Sequence, residues 1–152
     1  MKIRTLISML ILLICTNNIS AQTTLYSEFS KIKGVKSFYI ADIDKLTGCT
    51  GCGISGFMGD NLKQLLSDID PKRIKTITIL TSNTNEATAT LRTEVTKITE
   101  SGDYELLVVS KDNKETSSVY KKKQGNCEII IVLDKTDEFV LKQLLGDFSI
   151  KK

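Results

Sequence analysis

The sequence predicts an α+β fold: a two-layer, mixed β-sheet of about six strands with helices packed on one face, ending in an antiparallel meander. Three observations carry this. Apolar residues switch along the chain between the helical period of 3.6 and the strand period of 2. The early strands are separated by long connections that contain helical stripes, whereas the last four follow one another through short turns rich in Asp, Asn and Gly. No repeat, linker or low-complexity tract interrupts the pattern.

The chain opens with residues that read as an export signal. Lys2 and Arg4 supply a positive start, residues 6–14 are apolar apart from Ser8, and Thr16-Asn17-Asn18 leads to a small residue at Ala21. That run is shorter than the roughly 20 apolar residues a spanning helix needs. Cleavage after Ala21 is expected to remove a signal peptide, residues 1–21, and to leave one α+β domain over residues 22–152, periplasmic or extracellular. The alternative is a lipid anchor on Cys15, because Leu12-Leu13-Ile14-Cys15 is similar to a bacterial lipobox; Ile14, where a small residue is expected, stands against it.

The remaining length is about one domain, enough to close a core without metals. The chain has 21 basic and 18 acidic residues, so without Lys2 and Arg4 the balance is 19 to 18. That near-neutrality removes the electrostatic case for nucleic acid, which needs a concentrated basic face. The basic run Lys121-Lys122-Lys123 is expected to be a solvated hairpin strand that resists edge pairing. No later apolar stretch is long enough for a transmembrane segment after signal cleavage.

Leu25, Phe29 and Ile32 recur at helical spacing and predict a short helix ended by Gly34. A strand over 35–43 follows, with Phe38 and Ile40 on one face and Tyr39 and Ala41 on the other. Five glycines punctuate residues 48–59 as a loop, after which Met58, Leu62, Leu65, Leu66 and Ile69 predict a helix capped by Asp60 and ended at Asp70-Pro71. Residues 74–80 predict a second strand. Asn83-x-x-Glu86 resembles a capping box that opens a helix carrying Ala87, Leu91, Val95 and Ile98, stopped by Gly102. Its threonines are poor helix formers, so packing has to hold it. Strands over 104–110, 116–122, 127–133 and 139–145 complete the meander, although Leu141, Leu144 and Leu145 also fit a helical stripe. Short turns force antiparallel neighbours, while a crossover through a helix makes its flanking strands parallel when they share the sheet.

Leu25-Tyr26-x-x-Phe29, Tyr104-Glu105-x-Leu107, Val119-Tyr120-x-Lys122, Glu128-Ile129-Ile130-Ile131-Val132 and Gly146-Asp147 together resemble an uncharacterised family of small exported Bacteroidetes proteins, catalogued as a domain of unknown function. The resemblance covers nearly all of the chain after the leader. It implies export and this fold, and brings no activity, cofactor or catalytic residue with it. The loop around Cys49 and Cys52 departs from the family's pattern.

The chemically suggestive group is Gly48-Cys49-Thr50-Gly51-Cys52-Gly53, with Cys127 as a third cysteine beyond the leader. In an oxidising compartment a disulfide is the first expectation. Closing Cys49 to Cys52 would stabilise by roughly 2 kcal/mol, and a bridge from either to Cys127, about 76 residues away, by roughly 4.5 kcal/mol in the chain-entropy view. Energy favours the long bridge and proximity the short one. The functional alternative is a thiol redox centre, which needs a thiolate stabilised at a helix N-terminus. Here Gly53, Gly56 and Gly59 separate Cys52 from the next apolar stripe, and Pro71 ends that stripe instead of preceding a later strand. A zinc site wants four ligands, but the cysteines are scattered and the chain has no histidine, so no metal site is expected.

Gly51-x-Gly53-x-x-Gly56 spells a dinucleotide fingerprint, but residues 42–50 intervene after the strand and the second strand runs into Thr81-Ser82-Asn83, which lacks an acid for a ribose. No cofactor is expected. Without histidine there is no Ser-His-Asp or Cys-His arrangement. The pairs Asp42 with Asp44 and Asp68 with Asp70 lie at element ends, where Asp is ordinary capping chemistry. The residues favour a non-catalytic binding or interaction module over an enzyme, with an exported protein or small ligand as its partner and no catalytic residues. The alternative is a thiol-disulfide oxidoreductase or redox sensor using Cys49 and Cys52, with Cys127 as resolving thiol.

Overall fold

The computed structural model describes residues 24–41, 73–125 and 127–147. In order these form α1 (Thr24–Phe29), β1 (Val35–Ile40), β2 (Ile74–Ser82), α2 (Asn85–Thr99), β3 (Tyr104–Lys111), β4 (Glu115–Lys122), β5 (Cys127–Lys135) and β6 (Phe139–Gly146). The glycine loop and the helix expected near residues 58–69 lie outside the described residues, as does the leader.

The six strands form one sheet in the order β1-β2-β6-β5-β4-β3. Every neighbouring pair is antiparallel, which corrects the expected mixed sheet. β1 and β2 are direct neighbours and antiparallel, although the helical crossover expected between them would make them parallel. For β2 and β3 the reason is where the crossover lands. β2 and β3 do run in the same direction, but α2 carries the chain to the far edge and β4, β5 and β6 fill the gap, so the two never share a ladder. Residues 139–146 form a strand, because each side of that segment meets a strand already in place, β2 on one and β5 on the other.

α2 begins one residue later than the capping-box pattern suggests. Thr84 is the N-cap, and its Oγ1 accepts from the Ala87 amide at 3.2 Å. The threonines of the helix turn their hydroxyls back on it: Thr90, Thr93 and Thr99 donate to the carbonyls of Glu86, Ala89 and Val95. Thr88 is buried instead. Its hydroxyl lies 2.6 Å from that of Ser82, which also accepts from the Phe139 amide at 2.8 Å. One serine thereby fixes the start of the helix against β2 and β6.

Register separates the apolar side chains into two clusters. Leu80, Ile130, Val132, Phe139 and Leu141 gather with Leu25 and Phe29 of α1 and Leu91 and Val95 of α2. Ile74, Ile77, Ile129, Ile131 and Leu144 gather with Ile40 and Val119 on the other face. Consecutive residues Ile129, Ile130, Ile131 and Val132 are all buried, so the centre of the sheet is covered on both sides. The continuous apolar run in β5 is what a doubly buried strand requires.

Two irregularities shape the ends. In β3 the register shifts between Leu106 and Val108, leaving Leu107 as an extra residue that packs beside Val119. Where β6 ends, the backbone of Arg73 passes so close to Gly146 that a Cβ there would collide with the Arg73 carbonyl oxygen, so only glycine fits.

Candidate functional site

The antiparallel meander delivers one polar side chain from each of four strands to the same end of the sheet. Tyr104 opens β3 and pairs with Lys122 at the end of β4. Glu128 follows just across the β4–β5 turn, and Gln143 of β6 pairs with Ile130, two positions along the same face from Glu128.

Glu128 is the centre of the group and is only 5 % exposed. Its Oε1 accepts from the Tyr104 hydroxyl at 2.9 Å and from Gln143 Nε2 at 2.6 Å; its Oε2 accepts from Lys122 Nζ at 3.3 Å. A buried carboxylate is tolerable only when paired and hydrogen-bonded, and these three donors from three strands meet that condition. Burial, reinforced by the charge of Glu128, pushes the Tyr104 phenol well above its ordinary range, so it remains a donor. Lys122 Nζ also sits 6.0 Å from the centre of the Tyr104 ring.

Two atoms of this region are not satisfied. Thr78 Oγ1 and Gln143 Oε1 are buried with no hydrogen-bond partner among the described residues. The two residues face each other across the β2–β6 ladder. The Gln143 amide therefore has its NH2 end committed and its carbonyl end open, in a place where an unpaired polar atom costs about 1–3 kcal/mol.

Beside the network lies a cleft of about 320 Å3 lined by Gly102, Asp103, Lys122, Lys123 and Gln124. It forms where the α2–β3 turn meets the β4–β5 turn, and the Lys123 amide closes the junction by donating to the Asp103 carbonyl at 2.9 Å. Lys122 belongs to both the cleft and the network. The arrangement can recognise a polar group through Lys123, Asp103 and Gln124 while Lys122 and Glu128 hold the wall in place.

The basic run is thus not an edge guard. β4 is paired on both sides, by β3 and β5, so Lys121 and Lys122 are interior to the sheet, and Lys122 is drawn inward by Glu128. Cys49, Cys52 and Cys15 lie outside the described residues. Cys127 begins β5 on the face opposite Glu128, is half-buried against the second apolar cluster and carries a free thiol. Burial pushes that thiol above its usual range, with Lys121 opposing and Asp147 adding to the shift. A protonated thiol is a poor nucleophile, so this environment does not favour a resolving role.

Sequence reasoning missed Tyr104, Glu128 and Gln143 as a group. The available signal was a charged residue leading four consecutive apolar ones, and a glutamine set among leucines; without the register, neither points at the other.

Among the described residues, no helix is long and apolar enough to cross a membrane, and no group of three or more His, Cys, Asp or Glu is placed to hold a metal ion. Comparison with curated proteins and with solved structures gives no match. Residues 54–152 match the family described as Domain of unknown function (DUF4252). The matched stretch contains β2 to β6 and all four network residues, and it begins after Cys52. Because the match spans well over half of the chain, the protein belongs to the DUF4252 family.

Proposed function

We propose that this chain is an exported, non-catalytic binding module that receives a polar group of a small ligand or of an exported partner in the cleft beside Glu128. The observation that carries it is the commitment of the ionisable groups there. Both oxygens of Glu128 accept hydrogen bonds, Tyr104 is held protonated as a donor, and Lys122 is spent on Glu128. Such a network builds a rigid wall and holds no group poised to move a proton. Lys123, Asp103 and Gln124 remain at the opening for recognition.

In this reading residues 1–21 are removed on export, residues 22–152 form one domain, and its address is periplasmic or extracellular, with an anchor on Cys15 as the alternative. Both helices lie on one face of the sheet, since Leu25, Phe29, Leu91 and Val95 share one apolar cluster.

Affinity capture from the exported fraction tests the function. The same partner should be recovered by the natural chain and by a variant lacking Cys49, Cys52 and Cys127, and lost on Lys123→Glu. Loss on removing the cysteines alone would transfer the function to thiol chemistry.

A further inference from the structure

We propose that β3 is a self-association edge, at which two copies of this chain join antiparallel about a two-fold axis to continue the sheet from one molecule into the other. β3 ends the sheet, and the outward side of its backbone has no strand partner among the described residues. Its side chains are unusually apolar for such a position: Leu106 is 50 % exposed, Val109 54 % and Val108 38 %. An open edge of eight residues with an apolar centre is a template for strand addition. The opposite edge strand, β1, differs, because Phe38 is its one large exposed apolar side chain.

The bulge identifies the occupant. The extra residue puts Leu107 and Val108 together opposite Val119, so both lie on one face and the alternation reverses across them. A regular incoming strand would have to oppose two residues with one. A second copy of β3, run antiparallel, matches face for face along its whole length. Leu107 then pairs with Val108 of the other copy, Leu106 with Val109, Glu105 with Ser110 and Tyr104 with Lys111. Apolar residues meet apolar ones at the centre, and no like charges are opposed. The contact is isologous and closes on itself. The edge alone is small beside an ordinary stable interface of about 800 Å2 per partner, so the dimer is expected to dissociate on dilution.

Light scattering coupled to size exclusion over a concentration series of the purified protein tests this, with Leu106→Lys and Val109→Asp as variants. Both positions are exposed, so each variant should melt as the natural protein does. The expected result is a concentration-dependent dimer that each substitution alone weakens by about ten-fold or more. An equimolar mixture of the two variants should recover the dimer, because position 106 of one copy faces position 109 of the other. A natural chain that stays monomeric throughout, a dimer indifferent to both substitutions, or variants that fail to rescue each other would overturn the proposal. So would an extended apolar peptide bound to a monomer at this edge.

Discussion

Gln143 Nε2 donates to Glu128 Oε1 at 2.6 Å, while the carbonyl oxygen of the same side chain is buried without a partner among the described residues. The amide therefore stabilises a buried charge and carries a penalty of its own. Replacing Gln143 by Leu removes a charge-assisted bond worth about 1.5–3 kcal/mol and an orphan acceptor costing about 1–3 kcal/mol. Urea denaturation should show a change within about 1 kcal/mol. Gln143→Glu instead sets a second carboxylate beside the first. It should destabilise by about 3 kcal/mol or more at neutral pH and recover on acidification; a flat pH response would contradict the geometry.

Tyr104→Phe deletes one of the three donors to Glu128 and should cost about 1.5–3 kcal/mol. The phenol also sets a pH dependence. Its folded pKa is raised, mainly by burial, so its contribution is fully present below the unfolded tyrosine pKa of about 10 and is lost as pH climbs from there toward the folded value. Ultraviolet titration of the natural protein should show one phenol ionising only as the protein unfolds in alkali. In Tyr104→Phe that step should vanish.

At the start of α2 a tight contact couples two loops. Gly34 has φ of +85°, and a Cβ there would stand 2.6 Å from Thr84 Oγ1, the atom that caps the helix. Gly34→Ala is expected to cost about 2 kcal/mol from the left-handed backbone and the clash together. Thr84→Ala should cost about 1 kcal/mol through the lost cap. The double variant should be less destabilised than the sum, since deleting the hydroxyl opens the space; strict additivity in thermal melts would show that the two do not touch.

Leu91 is fully buried on α2. Leu91→Ala should cost about 2–5 kcal/mol, and Leu91→Asp should prevent folding because its charge has no partner there. Circular dichroism melts check both.

The Cys127 thiol, half-buried with a raised pKa, should react slowly with a disulfide reagent at neutral pH and much faster in denaturant. Equal rates in both conditions would mean that the strand does not protect it.

The order and kind of most described elements were legible from periodicity, because the strands and α2 carry their own apolar pattern and bounded turns. The ambiguity of residues 139–145 shows where that ends. Leu141, Leu144 and Leu145 satisfy both periods, and a strand forms because β2 and β5 leave a gap of one strand's width between them. The cap moved from Asn83 to Thr84 for a similarly local reason, since both residues can cap and only the path out of β2 selects one.

Periodicity and turn spacing by themselves determined an α+β chain whose last strands run over 104–110, 116–122 and 127–133, the lack of histidine excluded histidine chemistry, and the resemblance of its motifs pointed to the family. Tertiary structure alone decided that α2 carries the chain from β2 to the far edge of the sheet, that Lys122 lies on a strand paired on both sides, and that Glu128 meets Tyr104 and Gln143. The physical reason is that side-chain periodicity is a property of one segment. Neighbour order and register arise from how segments compete to bury the same faces, and that competition is settled only when all strands are in place.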